Sequence, residues 1–190
     1  MPTKIQIINN ALIRLGEPAI DSLTNPNNII QGVVSIYDMI IEDSLAVHPW
    51  KFALKTATLT ESPEDPITDN YSYTYNKPAD LIQPWRNHPL SLDYKIQGNL
   101  IYSNINAPWK WMYVAHTEPA FFPEYFALYI SFRLASEAAM LLTQTMDQVS
   151  LWESKAEKQL MKAQNRDATM QPNDAIQNND YWADHFYGAI

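Results

Sequence analysis

The spacing of the hydrophobic residues changes at the sequence HPWKF, residues 48–52, and changes back near residue 118. Outside this interval apolar residues recur every three or four positions, as on one face of an α-helix. Inside it aromatic residues alternate with small or polar ones, as in a half-buried β-strand. We therefore predict an α+β fold: an antiparallel bundle of about four helices from residues 1–52 and 118–169, and an inserted small antiparallel β-sheet module from residues 53–117.

Two helices are predicted before the insertion. Thr3 and Gln6 have the spacing of a capping box at the start of the first helix. Asn25-Pro26 is interpreted as the N-cap and first position of the second helix, which ends near His48 because Pro49 disfavours helical backbone before it. The predicted buried faces are Ile5, Ile8, Leu12 and Leu15 in the first helix, and Ile29 or Ile30, Val33, Tyr37, Ile40 and Ser44 in the second.

Two further helices are predicted after the insertion. The third opens at Pro123 and runs to about Leu142, and it is apolar almost all the way round. Such a helix is expected to be covered on several sides, by the other helices or by another subunit. The fourth begins with a second capping-box pattern, Thr145 and Gln148. Its predicted apolar face consists of Val149, Trp152, Ala156, Leu160 and Ala163.

The clearest local signal in the insertion is a β-hairpin around Gly98-Asn99. A two-residue loop there pairs Gln97 with Leu100 and sets Ile96 opposite Ile101. At the start of the insertion, Pro49 is expected to end the second helix, and Trp50 and Phe52 are expected to pin the bundle to the insertion. We call these three residues the seam. The aromatic residues of the insertion are interpreted as core, with stacking on sugars as the alternative; they are Trp85, Tyr94, Tyr102, Trp109 and Trp111.

Composition and motifs narrow the classes of function. The 190-residue chain has no cysteine and a net charge of −8, which argues against a protein that grips nucleic acid over its whole surface. No Gly-rich phosphate loop, nucleophile elbow or metalloprotease motif is present, and the four histidines are far apart. The acidic loop 61–70 lacks the spacing of a calcium-binding loop and is interpreted as solvated. We predict no catalytic, cofactor or metal site, and no membrane span.

Three groups of residues are candidate interaction surfaces for neighbouring subunits or partners. A basic stripe on the fourth helix is spaced at helical intervals and suits an acidic partner, DNA phosphates or simply solvent. A charged pair on the third helix is expensive to bury unless it is paired within the helix or with a neighbouring subunit. The tail 170–190 has three aspartates, no Lys or Arg, and four aromatic residues, so it either docks on a partner or packs back on its own domain. The candidates are Lys155, Lys158, Lys162 and Arg166 in the stripe, Arg133 and Glu137 in the pair, and Tyr181, Trp182, Phe186 and Tyr187 in the tail.

Three short sequences occur together and in order: HPW-FA at residues 48–53, KPAD at residues 77–80, and the Gly-Asn hairpin at residues 94–102. In this combination the sequence resembles the tail tubular protein A family of tailed bacteriophages, the head-to-tail adaptors of podovirus-like phages. The resemblance extends from the first helix through the fourth, and the last twenty or so residues lie outside it.

The resemblance implies an adaptor subunit rather than an enzyme, with no catalytic residues and no cofactor. Twelve subunits would form a ring in the neck of the virion, assembled in the host cytoplasm between the portal protein and the tail nozzle protein. Genomic DNA would pass through the lumen without sequence-specific binding. The alternative is a tail protein that binds or hydrolyses envelope polysaccharide.

Overall fold

The structure is a computed structural model, and its fold is α+β. It describes residues 1–24, 27–66, 70–87, 94–143 and 145–170, with the backbone alone for residues 86 and 87. In that part of the chain the helices are α1 (Lys4–Arg14), α2 (Asn28–Ala46), α3 (Glu124–Thr143) and α4 (Met146–Thr169), and the strands are β1 (Leu54–Leu59), β2 (Tyr73–Asn76), β3 (Leu81–Asn87), β4 (Tyr94–Gln97), β5 (Leu100–Ser103) and β6 (Trp109–Ala115).

Helix α3 is the centre of the bundle, and α1, α2 and α4 all pack against it. Its apolar residues point in nearly every direction because it has neighbours on three sides, as the sequence predicted. Among the described helices, α3 is the one whose length and composition would also suit a membrane span. Buried core helices share that composition, and half of its most apolar window is buried within the bundle.

The helix starts partly differ from the predictions. The capping box of α1 is present, with Thr3 and Gln6 each accepting a hydrogen bond from the other's backbone. The predicted N-cap of α2 is wrong, because the side chain of Asn27 caps that helix by accepting from the Ile29 amide at 2.9 Å. Asn25-Pro26 lies outside the described residues. Asn25, Asn27 and Asn28 lie within four residues and offer equivalent caps, and the sequence alone does not choose between them.

The start of α4 also departs from the prediction. Thr145 is the N-cap, but its hydroxyl makes no capping hydrogen bond and instead lies 3.1 Å from the hydroxyl of Thr143. The predicted capping box with Gln148 is therefore wrong, because a closer side chain engages the Thr145 hydroxyl. The apolar face of α4 is confirmed, and its most buried members are Trp152, Ala156 and Ala163.

The insertion contains two three-stranded antiparallel sheets, with strand orders β1-β6-β3 and β2-β5-β4. The predicted hairpin joins β4 to β5, and Gln97 pairs with Leu100 and Ile96 with Ile101. Gly98 has a φ of +60°, the left-handed conformation that a tight hairpin turn requires and that glycine adopts most easily.

The two sheets share an aromatic core. The ring of Tyr75 on β2 meets Trp109 on β6 edge to face with centroids 5.3 Å apart, and Tyr94 on β4 meets Trp111 at 5.9 Å. Trp109, Trp111 and Tyr102 are all at most 2% exposed. The core interpretation of the insertion's aromatic residues is therefore confirmed for these three, whereas Trp85 is 39% exposed.

Candidate interaction surface and the adjoining joint

A basic groove of about 360 Å³ lies where α1, α3 and α4 meet. Its walls combine four cationic and two aromatic side chains, and no acidic residue lines it. Three of the four cations belong to the stripe that the sequence singled out, and the fourth comes from α1. We call this site the basic groove; it is formed mainly by Arg14, Phe132, Trp152, Lys155, Lys158 and Lys162.

Two cations of the basic groove lie over its aromatic rings. The guanidinium carbon of Arg14 is 4.5 Å from the centroid of the Phe132 ring, and Nζ of Lys155 is 4.0 Å from that of Trp152. Both distances suit cation-π attraction. The Arg14 side chain also donates to the Asn10 carbonyl at 2.6 Å, and burial lowers the pKa of its guanidinium. These contacts fix two charges at the base of the groove.

The positive charge of the groove has no counterion among the described residues. None of Arg14, Lys155, Lys158 and Lys162 forms a salt bridge with that part of the chain. Lys158 and Lys162 are exposed. Like charges held together on one surface repel each other, so an anionic group that entered the groove would be bound favourably.

Arg166 does not line the groove, although it continues the predicted stripe one turn further along α4. Sequence reasoning missed Arg14, which is the basic residue in the last turn of α1. Its position at the helix end was visible in the sequence. The sequence did not reveal that α1 packs beside α4 across α3, which brings Arg14 to the groove.

The charged pair on α3 forms within the subunit, through Nη2 of Arg133, while Nε of the same side chain is buried without a hydrogen-bond partner among the described residues. Nη2 of Arg133 lies 3.3 Å from Oε1 of Glu137 and 3.5 Å from Oδ2 of Asp43 on α2. The side chains of Arg133 and Glu137 are 40% and 46% exposed, so these ion pairs add little to stability. Of the two sequence-based alternatives, the structure contains the intrahelical pair. The partial exposure leaves both residues accessible to another molecule.

The seam residues lie beside the C-terminal end of α4. Trp50 is fully buried, and its indole Nε1 donates a 2.7 Å hydrogen bond to the carbonyl of Ser44 in the last turn of α2. That carbonyl is one of the acceptors that a helix end leaves without an intrahelical partner. The Trp50 ring lies against Phe126 and Tyr129 on α3, with centroids 4.9 and 6.2 Å away. Trp50 thus fixes the direction in which the chain leaves α2.

Phe52 continues this contact toward the insertion. Its ring lies 4.8 Å from Phe126 and 5.8 Å from Phe122, in the segment that leads into α3. Pro49 is half-buried and follows the C-terminal end of α2, which the structure places at Ala46. The same hydrophobic cluster takes in residues of the insertion. These are Ala53, Leu54, Ile82 and Val114.

Asp167 closes the joint from the α4 side, and sequence reasoning missed it. This carboxylate is 1% exposed. It accepts hydrogen bonds from the Tyr125 hydroxyl at 2.8 Å and from the Lys51 amide at 3.2 Å, and Nε2 of His48 lies 3.3 Å away. Burial and the bond to Asp167 raise the pKa of Tyr125. The last turn of α4 is thereby tied to the HPWK sequence and to the start of α3.

The aspartate of KPAD, Asp80, ties the sheet together near α2. Its carboxylate lies 2.6 Å from Nζ of Lys55 on β1 and accepts a 2.8 Å hydrogen bond from the Tyr113 hydroxyl on β6. The Asp80 carbonyl accepts from the His116 amide at 2.7 Å. Burial alone would raise the pKa of Asp80, but the hydrogen bonds from Lys55 and Tyr113 outweigh it and lower that pKa.

The tail falls outside the described residues except for Met170, which caps the C-terminal end of α4. The predictions for Tyr181, Trp182, Phe186 and Tyr187 therefore have no structural counterpart. No group of three or more His, Asp or Glu side chains suited to a metal ion occurs within the described residues.

Comparison with known proteins adds no relative. No protein-family model matches the chain, and no curated protein sequence matches it significantly.

Proposed function

We propose that this chain is a subunit of a head-to-tail adaptor ring of a podovirus-like phage, joining the portal to the tail nozzle and lining the DNA exit channel. The observation that carries the proposal is the position of the three sequence features that resemble tail tubular protein A. HPW-FA forms the joint of α2, α3 and α4, KPAD holds β1 to β6, and the Gly-Asn turn closes the second sheet. The resemblance therefore lies in residues that define a bundle with an insertion.

A closed ring needs two different complementary surfaces on each subunit, so that every copy contacts the next in the same way. The basic groove offers a cationic surface. The outer face of α2 exposes Asp38 and Glu42 beside Met39, which is 73% exposed. Asp38 is paired with Lys4 at 2.8 Å, whereas Glu42 forms no salt bridge with the described residues and leaves this face acidic. A charged rim beside an exposed apolar side chain is the usual composition of a protein interface. These two surfaces support side-to-side assembly.

The net charge supports a conduit role. DNA that must leave the capsid quickly passes best along a wall that does not neutralise its phosphates, and a subunit with a net charge of −8 provides such a wall. In this proposal the bundle and the tail face the portal, and the insertion faces the nozzle. The ring belongs to the neck of the virion and assembles in the host cytoplasm.

Deletion of residues 171–190 tests whether the tail contributes to portal binding. Immobilised portal rings should capture less of the shortened chain than of the full chain, when both chains are folded and used at the same concentration. Equal capture of the two chains would exclude the tail from portal binding.

The alternative, a tail protein acting on envelope polysaccharide, has less support. Sugar stacking needs accessible rings, and Trp109, Trp111 and Tyr102 are buried in the insertion. A turnover assay on host glycan distinguishes the two functions. An adaptor leaves the glycan intact, whereas cleavage by the purified chain would favour the alternative.

A further inference from the structure

The positive charge of the basic groove is not neutralised by any carboxylate of the described residues. Four cationic side chains and two aromatic rings surround about 360 Å³ of open space, and the described residues supply no carboxylate to it. Arg14 and Lys155 are already held over aromatic rings at 4.5 and 4.0 Å. A partner with both carboxylates and aromatic rings would match the charge and the apolar surface together.

One segment of the same chain has that chemistry. Residues 171–190 contain three aspartates and four aromatic residues, and neither Lys nor Arg. Two of the aspartates, Asp180 and Asp184, flank Tyr181 and Trp182. The acidic loop 61–70, by comparison, has no aromatic residue. Charge and composition therefore favour the tail as the occupant.

The length of the chain allows this contact within one subunit. Lys155 lies fourteen residues before the end of α4 at Thr169, a distance of roughly 21 Å along the helix axis. The ten residues 170–179 span up to about 33 Å when extended. Asp180 can therefore reach back to Lys155. A segment tethered this closely has an effective concentration of about a millimolar or more.

We propose that in the free subunit the acidic aromatic segment 180–187 docks in the basic groove of its own chain. Asp180 and Asp184 neutralise lysines of the stripe, and the aromatic rings cover the apolar parts of the groove. This inference does not depend on the adaptor role. If the chain is an adaptor, the segment must leave the groove before the groove can contact a neighbouring subunit and before the tail can bind a portal.

Carbodiimide cross-linking of the wild-type full chain tests the contact directly, because this reagent joins carboxylates to amines in direct contact. Mass spectrometry should find Asp180 or Asp184 linked to Lys155, Lys158 or Lys162 within one chain, at a yield independent of protein concentration. Links only to lysines of the insertion, or only between two chains, would overturn the proposal.

Chymotrypsin cleavage of the full chain measures how much of the tail is docked, since the protease cuts after Tyr, Trp and Phe. The variant Lys155→Glu/Lys158→Glu should release tail peptides about tenfold faster than the wild type, if roughly nine tenths of the chains are docked. Raising NaCl from about 0.05 to 0.5 M should accelerate cleavage of the wild type but not of this variant, because salt screens the attraction between exposed charges.

A matched control carries the same charge change in the insertion, at the exposed residues Lys95 and Lys110. Lys95→Glu/Lys110→Glu should leave cleavage unchanged, and adding Asp180→Lys/Asp184→Lys to the groove variant should restore protection. Equal cleavage of the wild type and a groove variant of unchanged thermal stability would refute docking. Binding of a short DNA duplex in the groove with no change in tail cleavage would assign the groove to phosphates instead, and would also refute it.

Discussion

The hydroxyl of Tyr125 donates a 2.8 Å hydrogen bond to Oδ1 of Asp167, joining the first turn of α3 to the last turn of α4. The same carboxylate accepts from the Lys51 amide, so a single buried anion holds three segments of the joint. Hydrogen bonds to a buried charge are stronger than neutral ones, and breaking them leaves donors unsatisfied.

Asp167→Ala should therefore lower the free energy of unfolding by about 2–4 kcal/mol. A double-mutant cycle of Asp167→Ala and Tyr125→Phe, measured by urea unfolding, should give a coupling energy of about 1–2 kcal/mol, as expected for two residues in direct contact. The control Asn165→Ala, at an exposed position on the same helix, should change stability by less than about 0.5 kcal/mol. Additive effects of Asp167→Ala and Tyr125→Phe would show that the bond contributes nothing.

Trp50→Ala should cost about 3–5 kcal/mol, because it opens a large cavity between α2 and α3 and leaves the Ser44 carbonyl without its donor. The matched control is Phe121→Ala, since that ring is 66% exposed and its removal should have little effect. Thermal or urea unfolding compares the two. Equal losses in the two variants would mean that Trp50 does not hold the joint.

Asp80 should make stability depend on pH in the acid range. Its folded pKa is lowered below the ordinary value of 3.8, so its ion pair and hydrogen bonds stabilise the fold above that pH. This stabilisation is lost as the pH falls through the lowered pKa and Asp80 becomes protonated. The stability difference between the wild type and Asp80→Asn should thus be largest above about pH 5 and shrink below about pH 3.8. An equal stability difference between the two proteins at both ends of this pH range would contradict a lowered pKa for Asp80.

The same substitution should have opposite effects at two glycines. Gly32→Ala in α2 should stabilise the fold by up to about 1 kcal/mol, since alanine favours helix. Its new Cβ meets only Leu141 Cδ1, at an ordinary 3.8 Å. Gly98→Ala should destabilise by about 1–2 kcal/mol, because its φ of +60° strains an alanine although there is space for it. A Gly98→Ala variant at least as stable as the wild type would contradict the turn geometry, and a destabilised Gly32→Ala variant would contradict the helical prediction.

The elements that the sequence predicted well are those set by local spacing. The helical period located α1 to α4 within a few residues, and the two-residue turn fixed the register of β4 and β5. The pairing of β6 with β1 and β3 was not predictable in this way. It joins residues far apart in sequence, and no turn between them specifies the partner.

The interaction surface was predictable only in part. The steps of three and four residues from Lys155 to Arg166 placed the stripe on one helix face, but Arg14 reaches the groove only through the packing of α1 on α3. Asp167 stands near the end of a charged helix, where a carboxylate is normally solvated. It is buried because the HPWK joint folds over it, which is a property of the tertiary structure.

Electron microscopy of the purified full chain mixed with the portal protein encoded in the same genome tests the proposed function most directly. The adaptor account predicts one additional twelve-fold ring on a single face of each portal, with the insertion pointing away from it. Portals that stay bare in the presence of an excess of folded chain would contradict the account.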